Sequence, residues 1–139
     1  MVNQALLRTK TAHIKKSMDR LLGKAGVPRK EFRANADIQD IVTHNLQLAI
    51  QGAIDIASHI ISDEGWGVPN TLVGLFEILR EHKVIDEKMS GLMKKMVGFR
   101  NIIVHEYDDI DLNKVHQILT ERLGDFDDFL KQITMFANL

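Results

Sequence analysis

The sequence contains no cysteine, only two prolines and no long apolar run. Without cysteine, the chain cannot form a disulfide, a thiolate metal site or a cysteine nucleophile. Residues 1–30 alternate apolar and basic side chains, which differs from the apolar core of a signal peptide, and no stretch reaches the roughly 18 apolar residues of a membrane span. We therefore expect a cytoplasmic protein without a membrane segment.

Length and composition indicate one globular unit with an uneven charge distribution. We expect residues 1–139 to form a single domain, because 45% of the residues are hydrophobic and 27% charged, unlike a disordered chain. The net charge is −1, yet residues 1–33 carry nine lysines and arginines against two carboxylates. This basic third faces either RNA or the acidic remainder of the fold or a partner, and the second interpretation is favoured.

Helical periodicity fills the long intervals between the few prolines and glycines, which predicts an all-α fold. The fold class is an antiparallel bundle of four long helices plus a shorter fifth, with the chain between residues 63 and 69 forming a loop in which Trp66 covers the core. We predict the helices at about Asn3–Leu22, Asn35–Ser62, Thr71–His82, Asp86–His105 and Leu112–Ala137, with Asp86 and Asp111 as N-caps.

A narrow polar stripe marks the otherwise apolar second helix. It recurs at every third or fourth residue and comprises Gln47, Gln51, Asp55 and Ser58. In one interpretation it is an internal hydrogen-bonded stripe without further function. In the other, Asp55 is a supporting buried charge that anchors a positive group such as Arg100, because buried carboxylates are rarely left unpaired.

Arg100 is the most unexpected residue of the fourth helix. At 100° per residue it falls in the middle of the apolar stripe, while Asn101 and His105 share a neighbouring face. Tyr107 would stand nearly in line with Arg100 if the helix continued that far. This arrangement favours a cleft or a subunit interface over a closed core.

A purely structural explanation exists for each of these residues. Arg100 would pair with Asp55, His105 would lie against the carbonyl groups at the helix end, and Tyr107 would be a core aromatic residue with its hydroxyl at the surface. Together these interpretations describe an interaction module. The other five histidines show no metal-ligand spacing, so no metal site is expected.

The same residues also resemble a known family. Residues 100–107 read Arg-Asn-Ile-Ile-Val-His-Glu-Tyr and match the R-x4-H signature of HEPN ribonucleases, in the R-N-x-x-V-H-x-Y form typical of HepT toxins. Residues 46–59, which include Asp55, resemble a second block of that family, and residues 108–112 resemble its continuation. The resemblance covers most of the chain and implies a HEPN-like bundle that forms a homodimer through the motif helix.

The resemblance implies a metal-independent endoribonuclease that needs no cofactor of its own. In it, His105 is the acid/base for attack of the ribose 2′-hydroxyl on the adjacent phosphate of the RNA substrate. Arg100 clamps the scissile phosphate, and Asn101 orients either the phosphate or the imidazole.

The resemblance also implies a partner, an MNT-type nucleotidyltransferase antitoxin of a type II toxin–antitoxin system. Such an antitoxin uses ATP to AMPylate the motif tyrosine, here Tyr107, and the added charge and bulk would block the site beside Arg100. The alternative is a non-catalytic helical module that binds nucleotide or substrate for a nucleotidyltransferase, and a third possibility is a purely structural dimer.

Overall fold

The computed structural model describes residues 2–139, and within them every regular element is helical. The all-α prediction is therefore confirmed at the level of fold class. The seven α-helices of this part of the chain are α1 (Gln4–Leu22), α2 (Arg29–Ala34), α3 (Ala36–Glu64), α4 (Leu72–Glu81), α5 (Glu87–His105), α6 (Leu112–Glu121) and α7 (Leu123–Ala137), with a short 3-10 helix at Tyr107–Asp109 between α5 and α6.

Side-chain caps fix where the main helices begin. Asn3 and Asn35 accept hydrogen bonds from the backbone N–H groups of the first turns of α1 and α3. Asp86 and Asp111 do the same for α5 and α6, as their N-cap positions in the sequence predict. At the other end of α3, Gly65 adopts a left-handed conformation with φ of 69°, which ends the helix at low steric cost.

Helix α3 is the central element, because it contacts α1, α2, α4, α5 and α6. Its contact with α1 is unusually close at Gly52, where an added Cβ would stand 2.5 Å from Cγ1 of Ile14. Ile14 is almost fully buried in this contact. Only glycine at position 52 therefore allows the two helices to pack at this separation.

The helix count differs from the prediction at two places. The helix predicted over Leu112–Ala137 is broken at Arg122, whose φ of −119° and ψ of 3° leave the helical region. The break lets α6 and α7 each turn an apolar face into the core, and the glycine at position 124 weakens local helix continuity. The predicted connector after α1 contains α2, which begins after Pro28 and buries Phe32 completely.

The loop after α3 begins two residues later than predicted, because the helix continues to Glu64, and the prediction that Trp66 covers the core is confirmed. Trp66 is half-buried, packs against the core and stacks on His82 with ring centroids 3.9 Å apart and an interplanar angle of 5°. Among residues 2–139, none of the helices combines the length and the apolar character that crossing a bilayer requires.

Candidate functional site

The last turns of α5 bring the predicted site residues Arg100, Asn101 and His105 to the surface. Arg100 is only partly buried, and its Nη1 donates a hydrogen bond of 3.2 Å to Oδ1 of Asn101. Asn101 and His105 are exposed and lie four residues apart, so they share one face of the helix. The imidazole of His105 is therefore open to solvent.

A chain of polar contacts holds Arg100 from the side of α3. Its Nη2 donates to Oε1 of Gln51 at 3.2 Å, and Nε2 of Gln51 donates to Oδ1 of Asp55 at 3.0 Å. The other carboxylate oxygen of Asp55 lies 3.6 Å from Nζ of Lys10 on α1. The four side chains link α1, α3 and α5 in one network.

The structure corrects the expectation for Asp55. Its side chain is 37% exposed, so it is not a buried charge, and its cationic partner is Lys10 rather than Arg100. Gln51 stands between Asp55 and Arg100 and connects them through its amide. The polar stripe of α3 is thus not internal: it lies at the edge of the core, where α1 and α5 supply cations.

Arg100 keeps hydrogen-bonding capacity for a ligand. A guanidinium carries five N–H donors, and the contacts with Gln51 and Asn101 each use one. Its Nε is buried and finds no acceptor among residues 2–139. A planar cation that is oriented by two neutral amides and retains free donors is suited to binding a phosphate.

Tyr107 takes a position that helical geometry did not predict. Helix α5 ends at His105, and Glu106, with φ of −136° and ψ of 44°, turns the chain before the 3-10 helix. Tyr107 is therefore not in line with Arg100. Its hydroxyl donates a hydrogen bond of 2.8 Å to Oδ1 of Asp40 on α3, while 52% of the residue remains exposed.

The contact with Asp40 also affects the acidity of Tyr107. The pKa of its hydroxyl is raised above the ordinary value of 10.0, chiefly because the hydroxyl donates to the Asp40 carboxylate and secondarily because of partial burial. The phenol is thus protonated and accessible at neutral pH.

Sequence reasoning missed Asp40 and Lys10 as parts of this region. The available signal was the polar stripe of α3, which continues toward the N-terminus at the same spacing through His44 to Asp40. The stripe contacts Tyr107 at Asp40 and Arg100 at Gln51, so α3 runs beside the whole motif segment. Lys10 carries no comparable signal, since it is one of many basic residues on α1.

Apolar side chains are exposed around the polar site. They are 37 to 42% exposed and comprise Ile41 and Leu48 of α3 and Ile102 and Val104 of α5. Exposed aliphatic residues that alternate with polar residues on two neighbouring helices are unusual on a surface that contacts only solvent.

Residues 2–139 contain no group of three or more histidine, cysteine, aspartate or glutamate side chains placed to hold a metal ion.

Comparison with known proteins gives consistent matches. The family model described as ribonuclease HepT-like matches residues 14–133. An mRNA nuclease HepT from Shewanella oneidensis is 34% identical over 128 residues, which are 92% of this chain and 96% of that protein. A tRNA nuclease HepT from Aphanizomenon flos-aquae is 27% identical over 135 residues, 97% of this chain and 92% of the relative.

A solved structure shows the same fold. A tri-AMPylated HEPN toxin of Shewanella oneidensis, in complex with its MNT antitoxin, superposes with a TM-score of 0.87 at 32% identity. The superposition covers 96% of this chain and 99% of the toxin chain. The agreement therefore extends over nearly the whole chain.

Proposed function

The chain belongs to the ribonuclease HepT-like family, and we propose that it is an endoribonuclease, the toxin of a HEPN/MNT toxin–antitoxin pair. The observation that carries the proposal is the arrangement at the end of α5. There Arg100 is held by two amides and retains free donors, and His105, in the last turn of the same helix, has an exposed side chain. A cation that can bind a phosphate, together with an imidazole that can accept and donate a proton, supports RNA cleavage without a protein nucleophile.

The proposed reaction is an intramolecular transesterification of the RNA. His105 accepts the proton of a ribose 2′-hydroxyl while the oxygen attacks the adjacent phosphorus, and the bond to the 5′-oxygen of the next nucleotide breaks. That oxygen takes a proton from water and His105 returns its own proton to the solvent, so the products carry a 2′,3′-cyclic phosphate and a 5′-hydroxyl. Arg100 stabilises the charge that develops on the phosphoryl oxygens, and Asn101 keeps the guanidinium in place.

The proposed active unit is a homodimer formed through the motif helix. The exposed aliphatic residues on α3 and α5 support it, because a second copy would cover them and bring two His105–Arg100 sites to one cleft. In a two-fold symmetric dimer, both copies contribute the same residues to the interface. In the sequence, Ile102 and Val104 lie between Asn101 and His105, so the dimer interface would lie next to the proposed catalytic groups.

The proposed partner is an MNT-type nucleotidyltransferase that AMPylates Tyr107. The 52% exposure of Tyr107 supports this assignment, as does the AMPylated state of the Shewanella oneidensis toxin. In the transfer, the phenolic oxygen attacks the α-phosphorus of ATP, pyrophosphate leaves and the hydroxyl proton is released. The resulting phosphodiester adds negative charge and bulk beside the site and competes with RNA for Arg100.

The direct test uses the unmodified chain, made without its partner and checked by intact mass. It is incubated with total RNA in the presence of a chelator, and the new ends are mapped. Cleavage that leaves 2′,3′-cyclic phosphates is expected, and a substrate with 2′-deoxyribose at a mapped site should resist. If a folded, dimeric protein leaves RNA intact, the non-catalytic companion of a nucleotidyltransferase becomes the better account.

A further inference from the structure

A basic groove lies between α1 and α3, next to the site but not part of the R-x4-H motif. It encloses a cavity of about 300 Å³, and α1 lines it with Lys10, His13, Lys16, Ser17 and Arg20, opposite Leu48, Gln51, Gly52 and Asp55 of α3. Three permanent cations face one carboxylate there. Gly52, through its close contact with Ile14, sets how near the cationic face of α1 stands to α3.

The groove is physically continuous with the active site. Gln51 lines the groove and accepts the hydrogen bond of Arg100, so the two regions share a side chain. The single acidic residue, Asp55, is already engaged by Lys10 and Gln51. Lys16 and Arg20 are exposed and line the groove, so their positive charges are available to an anion that enters it.

We infer that this groove binds the ribose-phosphate backbone of RNA beside the scissile phosphate, with Lys16 and Arg20 as its phosphate contacts. The inference rests on the proposed ribonuclease function and adds a substrate-binding surface outside the motif. From Lys10 to Arg20, α1 rises about 15 Å, which corresponds to about four phosphates at the duplex spacing of about 3.4 Å per strand. The backbone would run from Arg100 past Gln51 and along α1.

Charge and shape favour RNA over a protein occupant. Flexible cations line one side of the groove, whereas protein interfaces are depleted in lysine and rich in apolar anchors. Of the four exposed aliphatic residues near the site, only Leu48 lines the groove. A track of cations that leads from an active-site arginine fits a polyanion whose reacting phosphate is bound at that arginine.

The test measures RNA binding in the His105→Ala protein, so that cleavage does not interfere. Lys16→Gln and Arg20→Gln are combined, and the anisotropy of a labelled single-stranded RNA of mixed sequence is titrated at several salt concentrations. We expect about tenfold weaker binding, and a log–log salt dependence reduced by about 1.4 for two lost phosphate contacts. In the cleaving protein the same pair should raise KM far more than it lowers kcat.

A matched control lies on the other side of the same helix. Arg8 and Lys15 are exposed and, at 100° per residue, point away from the groove, so Arg8→Gln with Lys15→Gln changes the net charge equally. This control should bind RNA nearly as the parent does. Melting curves of both double variants establish that each is folded.

Each other outcome rejects the groove as an RNA-binding surface. Equal losses in the two double variants would mean that only net charge matters, and parent-like binding by the groove variant would overturn the assignment. If that variant bound RNA normally but lost affinity for the nucleotidyltransferase, the groove would be a protein interface. Absence of RNA binding and cleavage by every protein would reject the ribonuclease function as well, which distinguishes the two failures.

Discussion

Arg100 donates a hydrogen bond to Gln51, a residue 49 positions earlier on the neighbouring helix, at 3.2 Å. Gln51 is itself tied to Asp55, and through it to Lys10. The orientation of the motif arginine therefore depends on a residue outside the motif. Residues that orient a charged group toward a reacting phosphate affect the rate even when they never touch the substrate.

Replacement of Gln51 should reduce cleavage without loss of fold. Gln51→Leu leaves a shorter aliphatic side chain that cannot form either hydrogen bond, so Arg100 loses its contact with α3. We expect kcat to fall about tenfold or more, with a smaller change in KM. The control is Gln47→Leu, a neighbour in the same stripe, measured in the same steady-state assay. Equal kcat values for the two variants would show that the Gln51 contact does not position Arg100.

Asp40 should control the titration of Tyr107. Tyr107 is the only tyrosine, so ultraviolet absorbance reports its ionisation directly. Asp40→Asn replaces the carboxylate that raises the pKa of the hydroxyl, and the pKa should fall toward the ordinary value of 10.0. Asp37→Asn, exposed on the same helix, should leave it unchanged.

The same contact has a consequence for stability. Because the folded pKa of Tyr107 is raised, its contribution to the free energy of unfolding is complete below the unfolded value of about 10 and is lost as the pH rises through the folded value. Denaturant melts at pH 9 and above should therefore show a smaller pH dependence in Asp40→Asn. An unchanged dependence would mean that the hydrogen bond is not formed in solution.

AMP transfer should require the Tyr107 hydroxyl. Tyr107→Phe retains the ring and removes the nucleophile, so incubation with ATP and the nucleotidyltransferase should add no mass to the variant. Since the residue is 52% exposed, the variant should fold and cleave RNA, and it should stay active under conditions that silence the parent. AMP found on the Phe variant by intact mass would place the modification at another residue.

Gly52→Ala should destabilise the protein although alanine is the better helix former. The new Cβ would meet Ile14 at 2.5 Å in a buried contact, which costs about 1–3 kcal/mol and outweighs a helix-propensity gain of at most about 1 kcal/mol. Gly91→Ala, at an exposed position of α5 with open space around it, should stabilise by up to about 1 kcal/mol. Denaturant melts of both variants give the comparison, and a stabilised Gly52→Ala protein would contradict the tight α1–α3 contact.

Much of the fold follows from local signals in the sequence. Asn35, Asp86 and Asp111 cap helices where the sequence predicts starts, and the apolar periodicity of α3 predicts its burial. The break at Arg122 was missed because the apolar periodicity on both sides is helical, and only tertiary packing decides that the chain turns there. Phe32 was missed because a single apolar residue among basic ones gives no periodic signal.

For the candidate site, the sequence singles out residues but does not predict their contacts. Arg100 stands out because a charged residue occupies an apolar stripe, and this signal is visible in sequence. Which polar group meets it depends on the register between α5 and α3, which no local pattern encodes. That register places Gln51 rather than Asp55 at the guanidinium, and the end of α5 at His105 sends Tyr107 to Asp40.

The most direct test of the account is the effect of His105→Ala on RNA cleavage. The unmodified parent, the variant and a His82→Ala control, in which the lost imidazole stacks on Trp66 outside the site, are incubated with RNA in chelator. The rate at which 2′,3′-cyclic phosphate ends accumulate is measured for each. We predict a loss of at least about a hundredfold for His105→Ala and little change for the control. Cleavage by a folded His105→Ala protein at the parent rate would contradict the assignment of His105 as the acid/base of this enzyme.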